Sequence, residues 1–190
     1  MLPSQLQQFR AKVRRMLSVV IPTLNAEKSL TRTLAALIRP TVRGLVKDVV
    51  IADGGSDDGT LGIAETAGAK IVKAPKGRGT QLAAGAQAAR GEWLLFLHAD
   101  TVLQPGWDEE VETLLERLEK RGEKGTSFAA VFKFALDDFS FWARMLERVV
   151  AWRCWLFGLP YGDQGLLVSR KLYDELGGYR PFQIMEDVDL

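Results

Sequence analysis

Carboxylates, a histidine and a short polar run stand where apolar stretches end, so a rigid support would hold each in place. Pro22-Thr23-Leu24-Asn25 follows the stretch 17–21, Asp53 follows 49–52, and His98-Ala99-Asp100 follows 93–97. In a parallel sheet, helix N-termini and loop amides gather at the carboxyl ends of the strands, and ligands bind there. Two carboxylates brought to one such edge suit a nucleotide held with a divalent cation. Each cluster also has a structural reading: the turn from Asp53 to Thr60 as a helix cap, and His98 and Asp100 as polar ends of a strand.

The elements that must position these groups follow from hydrophobic period. The β-branched run 17–21 is stopped by Pro22, and Leu30, Leu34, Leu37 and Ile38 then recur at helical spacing. A second buried strand at 49–52 leads into the turn-rich 53–59 and a helix from about 60 to 67, ended by Gly68. Ile71 and Val72 mark a third strand. After the loop Gly77-Arg78-Gly79, the alanine-rich stretch 80–90 predicts a helix, and 93–97 predicts a strand with no polar face. Four βα repeats imply an α/β fold, a mostly parallel sheet with helices on both faces. Pro105 suits a helix's first turn, Asp108, Glu109 and Glu110 its positive end, and Val111, Leu114, Leu115 and Leu118 its buried stripe, ended by Gly122. Phe128, Ala130, Phe132 and Phe134 then alternate as in an added strand. The second half is less regular, with an aromatic helix at about 138–157, a loop at 158–165, a strand at 166–168 and a helix closed by Gly177-Gly178.

With 47% apolar and 26% charged residues over 190 positions, the chain is excluded from the disordered class and predicts one domain with a substantial core. Residues 1–15 form a basic arm, and 16–190 form the domain. Lys and Arg number 25 against 24 Asp and Glu, so no overall field points to nucleic acid. A single cysteine, Cys154, excludes an internal disulfide, and a single histidine, His98, excludes a multi-histidine metal site. No stretch approaches the roughly 20 apolar residues that span a bilayer, and a cytoplasmic location is expected. Arg10, Lys12, Arg14 and Arg15 ahead of 16–24 imitate a secretory signal, but Pro22 and Asn25 cut the apolar stretch short.

Taken jointly, the motifs resemble the family-2 glycosyltransferases of GT-A fold, a Rossmann-like arrangement, from Ser18 to Leu190. The likeness runs through Ser18-Val-Val-Ile-Pro-Thr-Leu-Asn25, Val49-Val-Ile-Ala-Asp-Gly-Gly-Ser-Asp-Asp-Gly-Thr60, Gly77-Arg-Gly79, Leu94-Leu-Phe-Leu-His-Ala-Asp100, Gly162-Asp-Gln-Gly165, Leu176-Gly-Gly-Tyr179 and Met185-Glu-Asp187. More narrowly, the chain resembles a small soluble branch carrying His-Ala-Asp in place of Asp-X-Asp. The resemblance implies a nucleotide-binding half at about 16–125 and an acceptor half at about 126–190. It implies a nucleotide-sugar donor, a UDP-sugar foremost, and a hydroxyl acceptor. Pro22, Thr23, Asn25 and Glu27 would lie near the nucleoside, with Asp53 accepting from the base imide. Asp100, with His98 beside it, would bind Mg2+ or Mn2+ bridging the diphosphate, and Arg78 would add positive charge near the phosphates, or else form a structural salt bridge. Asp187 is implied as the general base of an inverting transfer, paired with Glu186, and Asp163 would orient the acceptor or Asp187. Glu186 and Asp187 as a helix cap, and Asp163 as a turn residue, are the structural alternatives.

The sequence departs from the family pattern at four positions. Gly54 stands where a second Asp is usual, Ala26 where Glu often follows Asn, Ala83 where Asn is frequent, and His98 where the first acid of Asp-X-Asp belongs. The resemblance implies a further helix past Leu190, so the acceptor half is expected to be truncated. Trp142, Trp152 and Trp155 make the stretch 139–157 too apolar for an ordinary surface helix. Burial against the sheet, a homodimer face and a peripheral membrane contact are its alternatives. Two other functions compete with transfer: a nucleotidyltransferase, which the stretch after the first strand disfavours, and a non-catalytic nucleotide-sugar-binding protein.

Overall fold

Leu17, Val19 and Ile21 are buried against one side of a strand, β1 (Leu17–Thr23), and Val20 against the other, so both faces of this strand must be covered. A computed structural model describes residues 16–121, 127–132 and 165–179. Along the chain follow α1 (Glu27–Val42), β2 (Val46–Asp53), α2 (Thr60–Thr66), β3 (Lys70–Lys73), α3 (Arg78–Ala88), β4 (Trp93–Phe96), α4 (Trp107–Lys120), β5 (Ala129–Val131), β6 (Leu166–Ser169) and α5 (Arg170–Glu175). The six strands form one sheet in the order β3-β2-β1-β4-β6-β5. Its first four strands are parallel, β6 runs antiparallel to β4, and β5 antiparallel to β6.

Alternation along the strands divides the apolar residues into two cores. On one face, Leu30, Leu34 and Leu37 of α1, Ala64 of α2, and Trp107, Val111 and Leu115 of α4 pack on Leu17, Val19, Ile21, Ile51 and Leu95. On the other, Leu82 and Ala86 of α3, with Tyr173 and Tyr179, pack on Val20, Val50, Leu94, Phe96 and Val168. The expected helices on both faces are present. Contact between α3 and the sheet is close: a Cβ added to Gly85 would stand 2.4 Å from Cγ1 of Val20, so only glycine allows this approach.

Several boundaries differ from expectation. Pro22 does not stop β1, which runs on to Thr23. The Val20 carbonyl accepts from the Leu97 N–H at 3.0 Å, so by alternation Pro22 faces the β4 side, where β4 has already ended and no ladder partner needs its missing N–H. Arg78 and Gly79 are the first turn of α3 rather than a loop before it, because Gly77, at φ +142, makes the turn. Pro105 precedes α4 instead of opening it; Gly106, at φ +93, is the residue at the helix boundary. The added strand is three residues long, and Leu114 is only partly buried. Gly122, the arm 1–15, the aromatic stretch 139–157 and the dimer or membrane contact assigned to it lie outside the described residues. Among the described residues, no helix is long and apolar enough to cross a membrane.

Candidate functional site

The register of β1 on β2 sets Thr23 beside Asp53 at the end of their ladder. Asp53 is only 1% exposed, and both of its oxygens are used twice. Oδ1 accepts from the hydroxyls of Thr23 (3.0 Å) and Ser56, and Oδ2 accepts from the amides of Gly55 (2.8 Å) and Ser56 (2.9 Å). Burial pushes this carboxyl up, but the hydrogen bonds from Ser56, Gly55 and Thr23 outweigh it and hold Asp53 below the usual carboxylate range. An ionised carboxylate offers about four acceptor positions. Here all four are filled from within the protein, so a base imide would have to displace one of them.

The loop after β1 is laced to the loop after β2. Asn25 sits at φ +53, a left-handed position that asparagine tolerates well, and its Oδ1 accepts from the Asp57 amide at 2.9 Å. The Asn25 amide donates to Ser56 Oγ at 2.9 Å, and the Ala26 amide to Thr60 Oγ1 at 2.8 Å. Glu27 Oε2 accepts from the Gly59 amide at 3.0 Å, while Asp58 accepts from the amides of Glu27 (3.1 Å) and Thr60 (3.0 Å), so one carboxylate serves the first turns of α1 and α2. The hydrogen bond from the Thr60 hydroxyl is the main reason that Asp58 titrates below its ordinary range. Asn25 and Glu27 thus shape the edge through loop-to-loop bonds.

From the opposite face, α3 inserts Gln81 between the two strand ends. Its Nε2 donates to the carbonyls of Thr23 (2.7 Å) and Ala52 (2.8 Å), and the residue is 5% exposed. A Cβ on residue 54 would come within 3.0 Å of this amide nitrogen, so the departure at Gly54 has a steric partner in Gln81. Sequence reasoning missed Gln81. The available signal was a polar residue one turn before Gly85, on the face of an alanine-rich helix that meets the sheet.

Because β1 lies between β2 and β4, the ends of those two strands are about 10 Å apart. His98-Ala99-Asp100 leaves β4 at this edge, and Thr33 of α1 pins the turn by donating to the Ala99 carbonyl at 2.9 Å. His98 Nδ1 stands 3.8 Å from Asp100 Oδ1, with the Asp100 side chain 76% exposed and that of His98 21%. No group of three or more His, Cys, Asp or Glu that could hold a metal occurs among the described residues. One exposed carboxylate with a histidine beside it is nonetheless a donor set suited to a hard cation that takes its remaining ligands from phosphate and water. Arg78, half-buried, opens α3 at the same edge, where the unpaired first amides of the helix favour anions. Thus Pro22, Thr23, Asn25, Glu27, Asp53, Arg78, His98 and Asp100 share one end of the sheet. Asp163, Glu186 and Asp187 lie outside the described residues.

Comparison with known proteins matches this architecture. In solved structures, glucosyl-3-phosphoglycerate synthase from Mycobacterium tuberculosis in complex with UDP is 26% identical, with a TM-score of 0.62 over 95% of this chain and 65% of that one. The same synthase in complex with Mn2+, UDP and phosphoglyceric acid is 25% identical, with a TM-score of 0.62 over 95% of this chain and 64% of that one. The mixed sheet is that of the GT-A glycosyltransferases. Among curated proteins, the PGL/p-HBAD biosynthesis glycosyltransferase of Mycobacterium bovis (strain BCG / Pasteur 1173P2) is 30% identical over 168 residues, 77% of this chain and 63% of that protein. Glucosyl-3-phosphoglycerate synthase of Mycolicibacterium paratuberculosis (strain ATCC BAA-968 / K-10) is 33% identical over 101 residues, 48% of this chain and 30% of that protein. The chain therefore spans less than two thirds of the length of each of these relatives. The family profile for glycosyl transferase family 2 matches residues 18–182, and the chain belongs to that family.

Proposed function

We propose that this chain transfers a sugar from a nucleotide-diphosphate donor, a UDP-sugar, to a hydroxyl acceptor with inversion at the anomeric carbon. The observation that carries this reading is the meeting of the β1, β2 and β4 loops with the start of α3 on one sheet edge, with Asp100 exposed there. The synthase relative solved with UDP and Mn2+ supports the choice of donor and cation, and the same synthase solved with Mg2+ and UDP supports Mg2+ as the alternative.

Such a transfer has two requirements: stabilising charge on the leaving diphosphate, and removing a proton from the attacking hydroxyl. Asp100, with His98 beside it, would hold Mg2+ or Mn2+. When bound, the cation neutralises charge on the diphosphate oxygens. Arg78 and the first turn of α3 add fixed positive charge for the phosphates. The loops carrying Thr23, Asn25, Glu27 and Asp53 form the nucleoside wall. Asp187 accepts the proton of the acceptor hydroxyl, with Glu186 adjacent and Asp163 orienting the acceptor.

Release of UDP from UDP-sugars, measured with and without Mn2+, tests this directly. Asp187→Asn should lower turnover by about 10² to 10⁴ while sparing UDP affinity. Asp100→Ala should remove the Mn2+-dependent part of that affinity. Full turnover in Asp187→Asn rejects the base assignment. Metal-dependent UDP binding with no donor cleavage under any condition would favour the binding-protein reading instead.

A further inference from the structure

We propose that the groove between α1 and α2 is a binding site for a single-chain anionic amphiphile, such as a free fatty carboxylate. The head group meets Lys47, Lys70 and Arg90, and the alkyl tail lies between the two helices. The path of the tail is apolar and open. On α1, Thr31, Ala35, Ile38 and Val42 recur at helical spacing and all are exposed, Ile38 by 63% and Val42 by 83%. A different stripe of the same helix, Leu30, Leu34 and Leu37, makes the contact with the core, so folding does not account for Ile38 and Val42. Ile63 and Ala67 of α2 form the facing wall, and the half-buried Val49 and Ala69 lie at the floor. The volume, about 1020 Å³, stands at the upper end of small-molecule sites, about 300–1,000 Å³.

Charge sets the head-group end. Lys47 near the start of β2, Lys70 at the start of β3 and Arg90 ahead of β4 all stand at the amino edge of the sheet and line the groove. Lys47 Nζ donates to the Arg90 carbonyl at 3.0 Å and Lys70 Nζ to the Ala88 carbonyl at 2.9 Å, so both ammoniums converge on one short connection. Each keeps two further donors for an anion. Asp48 is the one acid among the described residues that line the groove, and it is already committed: its side chain is 7% exposed and accepts from the Ser18 hydroxyl and from Arg90 Nε at 3.2 Å. Three cations therefore share one end of an apolar channel with a single buried, paired carboxylate. A second copy docked through the same groove would bury these cations on both sides of the contact. A planar bilayer cannot enter a recess flanked by helices, whereas a single chain can.

Calorimetry with monomeric laurate, dodecanol and butyrate tests the proposal. Laurate should bind at one site, about tenfold or more tighter than dodecanol, the range of a charge-assisted hydrogen bond, and butyrate should show no binding. Added salt should weaken laurate alone. Lys70→Glu should remove the preference for laurate over dodecanol. Ala67→Trp, which fills the channel from an exposed position, should abolish binding of both; Ala35→Trp on the facing helix serves if that variant does not fold. UDP affinity should stay the same in every variant, so loss of this site and failure of the donor reading are read separately. Equal affinity for laurate and dodecanol, or unchanged laurate affinity in a folded Trp variant, overturns the proposal. So does protein that ignores monomeric laurate but floats with phosphatidylglycerol vesicles, which makes the face a membrane contact, or a dimer in sedimentation that Ala67→Trp dissociates, which makes it a subunit interface.

Discussion

At the scale of single residues, the site is organised by carboxylates that serve the fold before they serve a ligand. Asp53 exchanges its hydration for four internal hydrogen bonds, and Asp58 ties the starts of α1 and α2 together. Replacing Asp53 by Asn keeps one acceptor oxygen and turns an NH2 group toward two donors, so about 2–4 kcal/mol of stability should be lost in urea unfolding. Both acids have folded pKa values below their ordinary range. Their contribution is therefore present above the unfolded carboxylate pKa of about 3.9 and is lost as pH falls through the lower folded values. The urea midpoint of the wild type should drop across that acid window, and the drop should be smaller in Asp53→Asn. Parallel curves for the two proteins would remove Asp53 as the source.

At the scale of elements, α3 is the piece that connects fold to site. Its start faces the nucleotide edge with Arg78, its middle reaches the strand ends with Gln81, and Gly85 sets how closely it lies on β1. Its far end is held by the second half of the chain. Arg170, first residue of α5, donates from Nε to the Gly91 carbonyl (2.8 Å), from Nη2 to that of Ala89 (3.0 Å) and from Nη1 to that of Ala86 (3.2 Å). A cation here also complements the negative end of the helix dipole. Gly85→Ala puts a methyl 2.4 Å from Val20 Cγ1 and must lift the helix. Overpacking of this kind costs about 1–3 kcal/mol. The same variant should weaken UDP binding, because Arg78 and the start of α3 shift with the helix; denaturation and calorimetry on one preparation check both, and tight binding in a destabilised variant would separate the two roles.

At the scale of the whole molecule, a groove among the described residues lies apart from the carboxyl edge of the sheet. An apolar groove of about 1020 Å³ lies between α1 and α2, lined by Leu34, Ile38 and Val42 on one side and Ile63 and Ala67 on the other. None of the acids or cations of the proposed donor site lines it, so stabilisation by UDP should arise at the carboxyl edge alone. At UDP a hundredfold above its dissociation constant, linkage predicts about 2.7 kcal/mol of added stability. For a chain of this size, that corresponds to a rise in Tm of about 5–10 °C. The rise should need Mn2+ and should shrink in Asp100→Ala; an equal rise without the cation would take Asp100 out of the site.

The amino-acid order by itself determined the succession of elements and the edge where chemistry collects. Hydrophobic period, β-branching and glycine turns act over a few residues, so the runs at 17–21, 49–52 and 93–97 announce strands, and the polar residues that follow them announce an edge. Element boundaries near Arg78 and Pro105 were less legible, because glycines at positive φ, Gly77 and Gly106, set those turns. Only the tertiary structure decided which polar groups are already satisfied. Gln81 meets Thr23 across 58 positions of chain, and Arg170 meets Gly91 across 79. Such bonds depend on how α3 lies across the sheet, on the missing side chain at Gly85 and on the β4–β6 pairing. No local period encodes those distances, and none announces that Asp53 also anchors its own turn.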